Sequence, residues 1–256
     1  MDTPFSPKPV PQQRIRDRLD AYMSRRDYAG AERHLLYWLQ EARSCRDGRG
    51  ELMVLNELVG HYRKTGARER AMRCADDALR LLDALDLRGS ITEGTTCVNV
   101  ATACSAFGDN ARALSLFERA RAAYEAGPAA QPGLLGGLYN NMALACVALG
   151  RYDEALELYE GALAQMARVK YGALEQAITC LNMANLIEAR DGMEAGEAGI
   201  FRLLEKASAL LDTEGIPHDG YYAFVCEKCA PTFDYYGWFA DAERFKKESA
   251  RIYEGH

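Results

Sequence analysis

Histidine is nearly absent from this chain. Its 256 residues hold four, His34, His61, His218 and His256, and no two stand close enough in sequence to form a metal motif. There is no His-Glu-x-x-His, no phosphate-cradling glycine loop and no Gly-x-Ser-x-Gly, so the local signatures of common hydrolases and nucleotide-binding enzymes are missing. No stretch runs to 18 apolar residues, which leaves no candidate membrane helix. The first residues, Met1 to Gln13, are proline-rich and lack the apolar core of a signal peptide. Basic charge is not in surplus either: 31 Lys and Arg face 37 Asp and Glu, a net charge of −6. Neutralising phosphates needs the opposite balance. These absences predict a soluble cytoplasmic protein, not an enzyme, with no metal, no cofactor, no nucleic-acid partner and no membrane partner.

What is present is ordinary globular material. Hydrophobic residues make up 48% and charged residues 27%, enough to build a core. The eight cysteines fall mostly inside apolar helical patterns, as at Cys97, Cys104, Cys146 and Cys180. That placement suits free thiols packing as small hydrophobes in a reducing compartment, not a disulfide framework. Charge is uneven along the chain. Residues 1–80 carry 16 Lys and Arg against 12 Asp and Glu, and the remainder carries 15 against 25. The plain reading is surface variation; the sharper one is an electropositive amino-terminal end that steers an acidic partner segment.

A fixed cadence organises the chain. Gly66, Gly108 and Gly150 are spaced 42 residues apart. Five residues after each comes Ala71, Ala113 or Ala155, and twelve after comes Ala78, Ala120 or Ala162. Seven before each lies Val59, Ala101 or Ala143. Upstream, Arg26 takes the turn position, followed by Ala31 and Trp38. Downstream, turns are expected at Asp191 and Gly237, with the segment Gly192–Gly199 read as an insertion that shifts the second helix of its pair. Glycine at each turn accepts left-handed backbone angles. Alanine lets paired helices approach closely, and large residues such as Phe117, Tyr152, Tyr159 and Leu163 fill the space between pairs. The predicted fold is all-α, a right-handed superhelical solenoid of about six antiparallel helix pairs. A flexible arm is expected over 1–11 and a single solenoid over 12–256, with pairs at about 12–45, 51–86, 94–127, 136–168, 174–212 and 220–254.

The run from Leu138 to Leu163, with Ala143 in its first helix, Gly150-Arg151-Tyr152 at its turn, and Ala155, Tyr159 and Ala162 in its second, resembles a tetratricopeptide repeat. The 42-residue period resembles the longer variant found in kinesin light chains and many bacterial proteins, whereas the family's usual period is about 34. The resemblance implies a concave face lined by the first helix of each pair and a role in binding a protein or peptide. A further alternative is a bacterial peptide-signal sensor domain, expected to have no DNA reader of its own because the repeats begin by about residue 12.

Asparagine recurs on those first helices. Asn99, Asn141 and Asn182 each lie nine residues before a turn, Asn56 lies ten before Gly66, and Asn140 and Asn185 stand beside the row. Asparagine is a poor helix former, so its repetition calls for a reason. Its amide offers two donors and two acceptors, which matches an extended peptide backbone. In kinesin-light-chain-like repeats the resemblance implies that role. The alternative is that the amides tie successive first helices together. Arg16, Asp17, Asp20, Glu57, Arg63 and Lys64 are expected on the same face, and Arg63 and Lys64 join the candidate groove as readers of partner side chains or of a terminal carboxylate. The alternative function is self-association into a homo-oligomer.

The last pair carries Cys226-Glu-Lys-Cys229, but no second pair of ligands follows at zinc spacing, so core packing is the expected use. Eight aromatics, Tyr221, Tyr222, Phe224, Phe233, Tyr235, Tyr236, Trp238 and Phe239, are expected to cap the open end. Pro231 should kink or restart the first helix of this pair.

Overall fold

The computed structural model describes residues 8–126 and 131–254, and among them every regular element is a helix. The chain divides into two compact units, Met1–Ala130 and Gln131–His256. The first contains α1 (Gln12–Ser24), α2 (Tyr28–Ser44), α3 (Gly48–Lys64), α4 (Arg68–Ala84), α5 (Ile91–Ala106) and α6 (Asn110–Glu125). The second contains α7 (Pro132–Ala148), α8 (Tyr152–Met166), α9 (Ala173–Asp191), α10 (Met193–Leu211), α11 (Gly220–Tyr235) and α12 (Phe239–Glu254). Consecutive helices pair, α1 with α2 through α11 with α12. First helices of successive pairs also touch: α3 meets α5 in one unit, and α7 meets α9 and α9 meets α11 in the other. The all-α helix-pair fold is the one the cadence predicts.

The repeated glycine closes the first helix. Gly66, Gly108, Gly150 and Gly237 all have positive φ, and so does Arg26 at the equivalent place. At Gly150 its N–H donates to the Val147 carbonyl at 3.0 Å, and the N–H of Arg151 donates to Cys146 at 2.9 Å. This pair of bonds satisfies carbonyls that a helix end leaves open. The same two bonds recur around Gly66 and Gly108. An aspartate often follows at once and caps the next helix, as Asp27, Asp47 and Asp109 do by accepting a backbone N–H three residues on.

Packing explains the alanine columns. Ala71, Ala113, Ala155, Ala78, Ala120, Ala162, Ala101 and Ala143 are all fully buried. Phe117 and Tyr159 are buried beside them, while Tyr152 and Leu163 are only half-buried. Small residues recur where a ring crosses between paired helices. A Cβ added at Gly94 would stand 2.2 Å from the Tyr124 ring, and one at Gly136 would stand 2.8 Å from Met166.

Two local expectations are corrected. The left-handed turn after α9 falls on Gly192, φ 82°, not on Asp191, which is the last residue of the helix. Asp191 would need an unfavourable conformation there, and the glycine beside it does not. The segment Gly192–Gly199, read as an insertion that shifts the second helix, begins at that turn. After that one glycine it forms the first turns of α10, and α9 and α10 each reach 19 residues. Pro231 does not restart its helix, because α11 runs as one element from Gly220 to Tyr235. The carbonyl deprived of an N–H partner belongs to Glu227, an exposed residue.

Residues 1–7 of the expected arm lie outside the described residues. Val10, inside that segment, is buried, and its N–H donates to the capping Asp47 carboxylate at 2.9 Å.

Candidate functional site

In the amino-terminal unit, the first helices α1, α3 and α5 line a cleft of about 340 Å³. Its apolar surface comes from Leu52, Met53, Leu87 and Ile91. Its polar surface comes from Gln12, Asn56, Thr92, Thr95, Thr96 and Asn99, with Arg16, Arg49 and Glu57 as the charges. Of the residues read from the sequence, Asn56, Asn99, Arg16 and Glu57 are brought together here. Arg63 and Lys64 are not. They sit further along α3, past the cleft, both exposed, with the Lys64 ammonium 5.8 Å from the centre of the Tyr28 ring.

The asparagines form a ladder between helices. Asn56 uses both amide hydrogens, one on the Leu52 carbonyl and one on Thr96 Oγ1, each at 3.0 Å. Its carbonyl accepts from Asn99 Nδ2 at 3.2 Å. The carboxy-terminal unit repeats the amide-to-amide bond, with the threonine now donating instead of accepting. Asn140 Oδ1 accepts from Asn182 Nδ2 at 3.0 Å and from Thr179 Oγ1 at 3.2 Å. In both cases an asparagine ten residues before its turn is the acceptor. A Thr-x-x-Asn on the next first helix, Thr96 with Asn99 or Thr179 with Asn182, supplies the partners. The threonines are buried and were not singled out from sequence, although they repeat at the same distance before each donor asparagine. Asn141 is half-buried on α7. Asn185 is exposed and accepts from the Tyr236 hydroxyl at 3.0 Å.

The ladder leaves specific capacity unused. Among the described residues, Asn99 and Asn182 each spend one N–H on their neighbour and keep one N–H and a carbonyl. Both residues are half-buried, and Asn99 lines the cleft.

Charge in the cleft is tuned by burial. The Glu57 carboxyl is pushed above the usual carboxylate range by desolvation; Arg16 opposes that shift and Asp20 adds to it. On α9, burial likewise raises Glu175, against the pull of Lys228. The Tyr221 hydroxyl donates to Glu175, and the hydroxyls of Tyr235 and Tyr236 donate to Glu188 at 2.6 and 2.8 Å.

The Cys-x-x-Cys thiols are buried in the core around α9 to α12. Burial raises Cys226 to about 11 and Cys229 to about 12, so both are protonated near neutrality. Of the eight clustered aromatics, Tyr222 and Phe233 enter that core, Tyr236 and Trp238 are half-buried, and Tyr221, Phe224, Tyr235 and Phe239 stand exposed. Among the described residues no helix is long and apolar enough to cross a membrane.

A tetratricopeptide-repeat family model matches residues 138–169, the end of α7 with its turn and the whole of α8. This segment is similar to a tetratricopeptide repeat. No curated protein is similar enough to the chain for a comparison. Among solved structures, BtubC (BKLC) from P. vanneervenii superposes with a TM-score of 0.68 at 20% identity, over 80% of this chain and 83% of that one. A kinesin-light-chain array of nearly identical TPR-like repeats from Podosopora anserina superposes at 0.55 and 18% identity, over 78% and 94%. These likenesses establish the tetratricopeptide-type fold. Scaffolds of this fold generally mediate protein–protein interaction and are generally non-catalytic.

Proposed function

We propose that this chain is a protein-interaction module and that the cleft between α1, α3 and α5 holds an extended peptide by its main chain. The observation that carries the reading is the half-used amide of Asn99. One hydrogen fixes the side chain to Asn56 at 3.2 Å. The other hydrogen and the carbonyl then meet the N–H and C=O that an extended backbone presents. The ladder thus unites the two roles foreseen for the asparagines: it joins helices and orients a grip. Leu52, Met53 and Ile91 supply an apolar floor for alternate side chains of the guest. Each main-chain hydrogen bond adds about 0.5–1.5 kcal/mol net. Two such bonds with modest apolar contact support micromolar affinity, on the order of 8 kcal/mol in total. Asn182 on α9 offers the same amide edge in the second unit, and Asn141, Asn185, Arg63 and Lys64 remain candidates for contacts beyond the cleft.

Selection from a random peptide display library tests this reading. Enriched peptides should bind the wild-type chain and lose binding to Thr92→Trp, which fills the cleft from an exposed position without touching the core. Enrichment that survives Thr92→Trp unchanged places the guest elsewhere and sinks the proposal.

A second reading, self-association, draws on the exposed Tyr221, Phe224, Tyr235 and Phe239 of the last pair. Sedimentation equilibrium decides it: a mass independent of concentration removes it.

A further inference from the structure

The opposite side of the amino-terminal unit carries a second cleft, between α2 and α4 with α3 beneath. It measures about 630 Å³. Leu39 and Leu55 form a buried floor, and Leu36 stands 44% exposed above it. Glu32, Arg33, Leu36, Leu39 and Arg43 line it from α2, spaced as one helical stripe. Arg70, Arg73, Cys74 and Asp77 do so from α4.

The charges do not balance. Glu32 is taken by Arg70 and by the Tyr62 hydroxyl, the latter at 2.8 Å. Asp77 is taken by Arg80, with Arg43 at 3.6 Å, and Arg43 also holds Glu51 at 2.6 Å. All three acids are thereby committed. Arg33 and Arg73 have no ion pair among the described residues, and both are exposed. The bridges Glu32–Arg70 and Arg43–Asp77 mark the two ends of the cleft, one turn or more apart on each helix. Arg33, Leu36 and Arg73 lie between them. Two uncommitted guanidiniums over an apolar floor form a site with a deficit of negative charge and an unfilled apolar seat.

We infer that this cleft docks an acidic protein segment, with carboxylates on Arg33 and Arg73 and an apolar side chain on Leu36, Leu39 and Leu55. Guanidinium suits that task because its planar fork pairs with both oxygens of a carboxylate. The excess of Lys and Arg in residues 1–80 steers such a segment toward this end of the chain. The site is separate from the first-helix cleft, and it reads side-chain charge where that cleft reads main chain.

The experiment is fluorescence anisotropy at about 0.15 M salt. The probes are a labelled peptide containing Glu-Leu-Glu and its Gln-Leu-Gln and Lys-Leu-Lys counterparts. The acidic probe should bind most tightly. Arg33→Glu with Arg73→Glu should weaken it by roughly tenfold or more. Arg25→Glu with Arg68→Glu makes the same charge change at exposed positions that line neither cleft, and should change binding less than about twofold. Should the reversed pair fail to fold by circular dichroism, Arg33→Gln with Arg73→Gln takes its place, with the same direction expected. Asn99→Ala should leave the acidic probe untouched, which separates this site from the peptide cleft. Equal binding of the acidic and neutral probes overturns the inference. So does an equal loss from the control pair, or no loss from the Arg33 and Arg73 variants.

Discussion

Replacing Asn140 by alanine strikes the ladder where it is most buried. Its side-chain carbonyl accepts from Asn182, at 3.0 Å, and shares with the Glu175 carbonyl the single hydrogen of the Thr179 hydroxyl, 3.2 Å away. Asn140 is 8% exposed and Thr179 2%. Truncation removes one shared acceptor and leaves the Thr179 hydroxyl with the Glu175 carbonyl, 2.9 Å away, as its remaining partner. The freed Asn182 N–H, at a half-buried residue, can turn to water. A buried acceptor serving two donors corresponds to about 1–2 kcal/mol of stability. Asn182→Ala removes only one donor and keeps the Thr179 bond to Asn140, so it should cost about 0.5–1 kcal/mol. The double variant should fall short of the sum by about 0.5 kcal/mol, the coupling expected of direct partners. Urea denaturation followed by circular dichroism gives all three values. In a repeat protein the midpoints are read at one probe to keep local unfolding from blurring the comparison. A cost for Asn182→Ala equal to that of Asn140→Ala, or strict additivity, would falsify the ladder as a stabilising unit.

Other expectations follow from single features. Tyr159 buries a hydroxyl that has no hydrogen-bond partner among the described residues, so Tyr159→Phe should raise stability by up to about 1 kcal/mol, visible as a higher Tm; a lower Tm would mean the hydroxyl is satisfied. Arg26 holds φ 56° at a turn where other pairs use glycine; Arg26→Gly should be stabilising by about 1 kcal/mol, and a loss in thermal denaturation counts against the turn assignment. Burial raises the Cys97 and Cys226 thiols to about 11 and Cys229 to about 12. Their stabilisation is complete below the unfolded thiol pKa of about 8.5 and is lost as pH climbs toward those values. The urea midpoint should therefore drop across that alkaline window. The three thiols should also resist Ellman's reagent at neutral pH, and rapid labelling of all eight cysteines would contradict their burial.

Much of the fold was legible because its determinants are local and repeated. A buried alanine column and a left-handed glycine recur at one spacing, and both constraints act on single residues. The corrected points lie at Asp191 and Pro231. Gly192 takes the turn that Asp191 was expected to make because the adjacent glycine bears the left-handed angle more cheaply. Pro231 passes through α11, where the carbonyl it orphans belongs to the exposed Glu227. The asparagines were visible, but their division into acceptors, Asn56 and Asn140, and donors, Asn99 and Asn182, was not. That division depends on contacts across about 40 residues of sequence, and on the buried Thr96 and Thr179. Spacing alone also placed Arg63 and Lys64 with the groove, since it shows the face of a helix but not where along it the cleft ends.

Main-chain recognition by Asn99 is tested most directly with an N-methyl scan of a peptide selected on the wild-type chain. Methylating the backbone nitrogen that meets Asn99 should reduce affinity by about tenfold or more. Against the Asn99→Ala variant the same methylation should change little. Equal sensitivity in both proteins, or none in either, would contradict a grip on the peptide backbone.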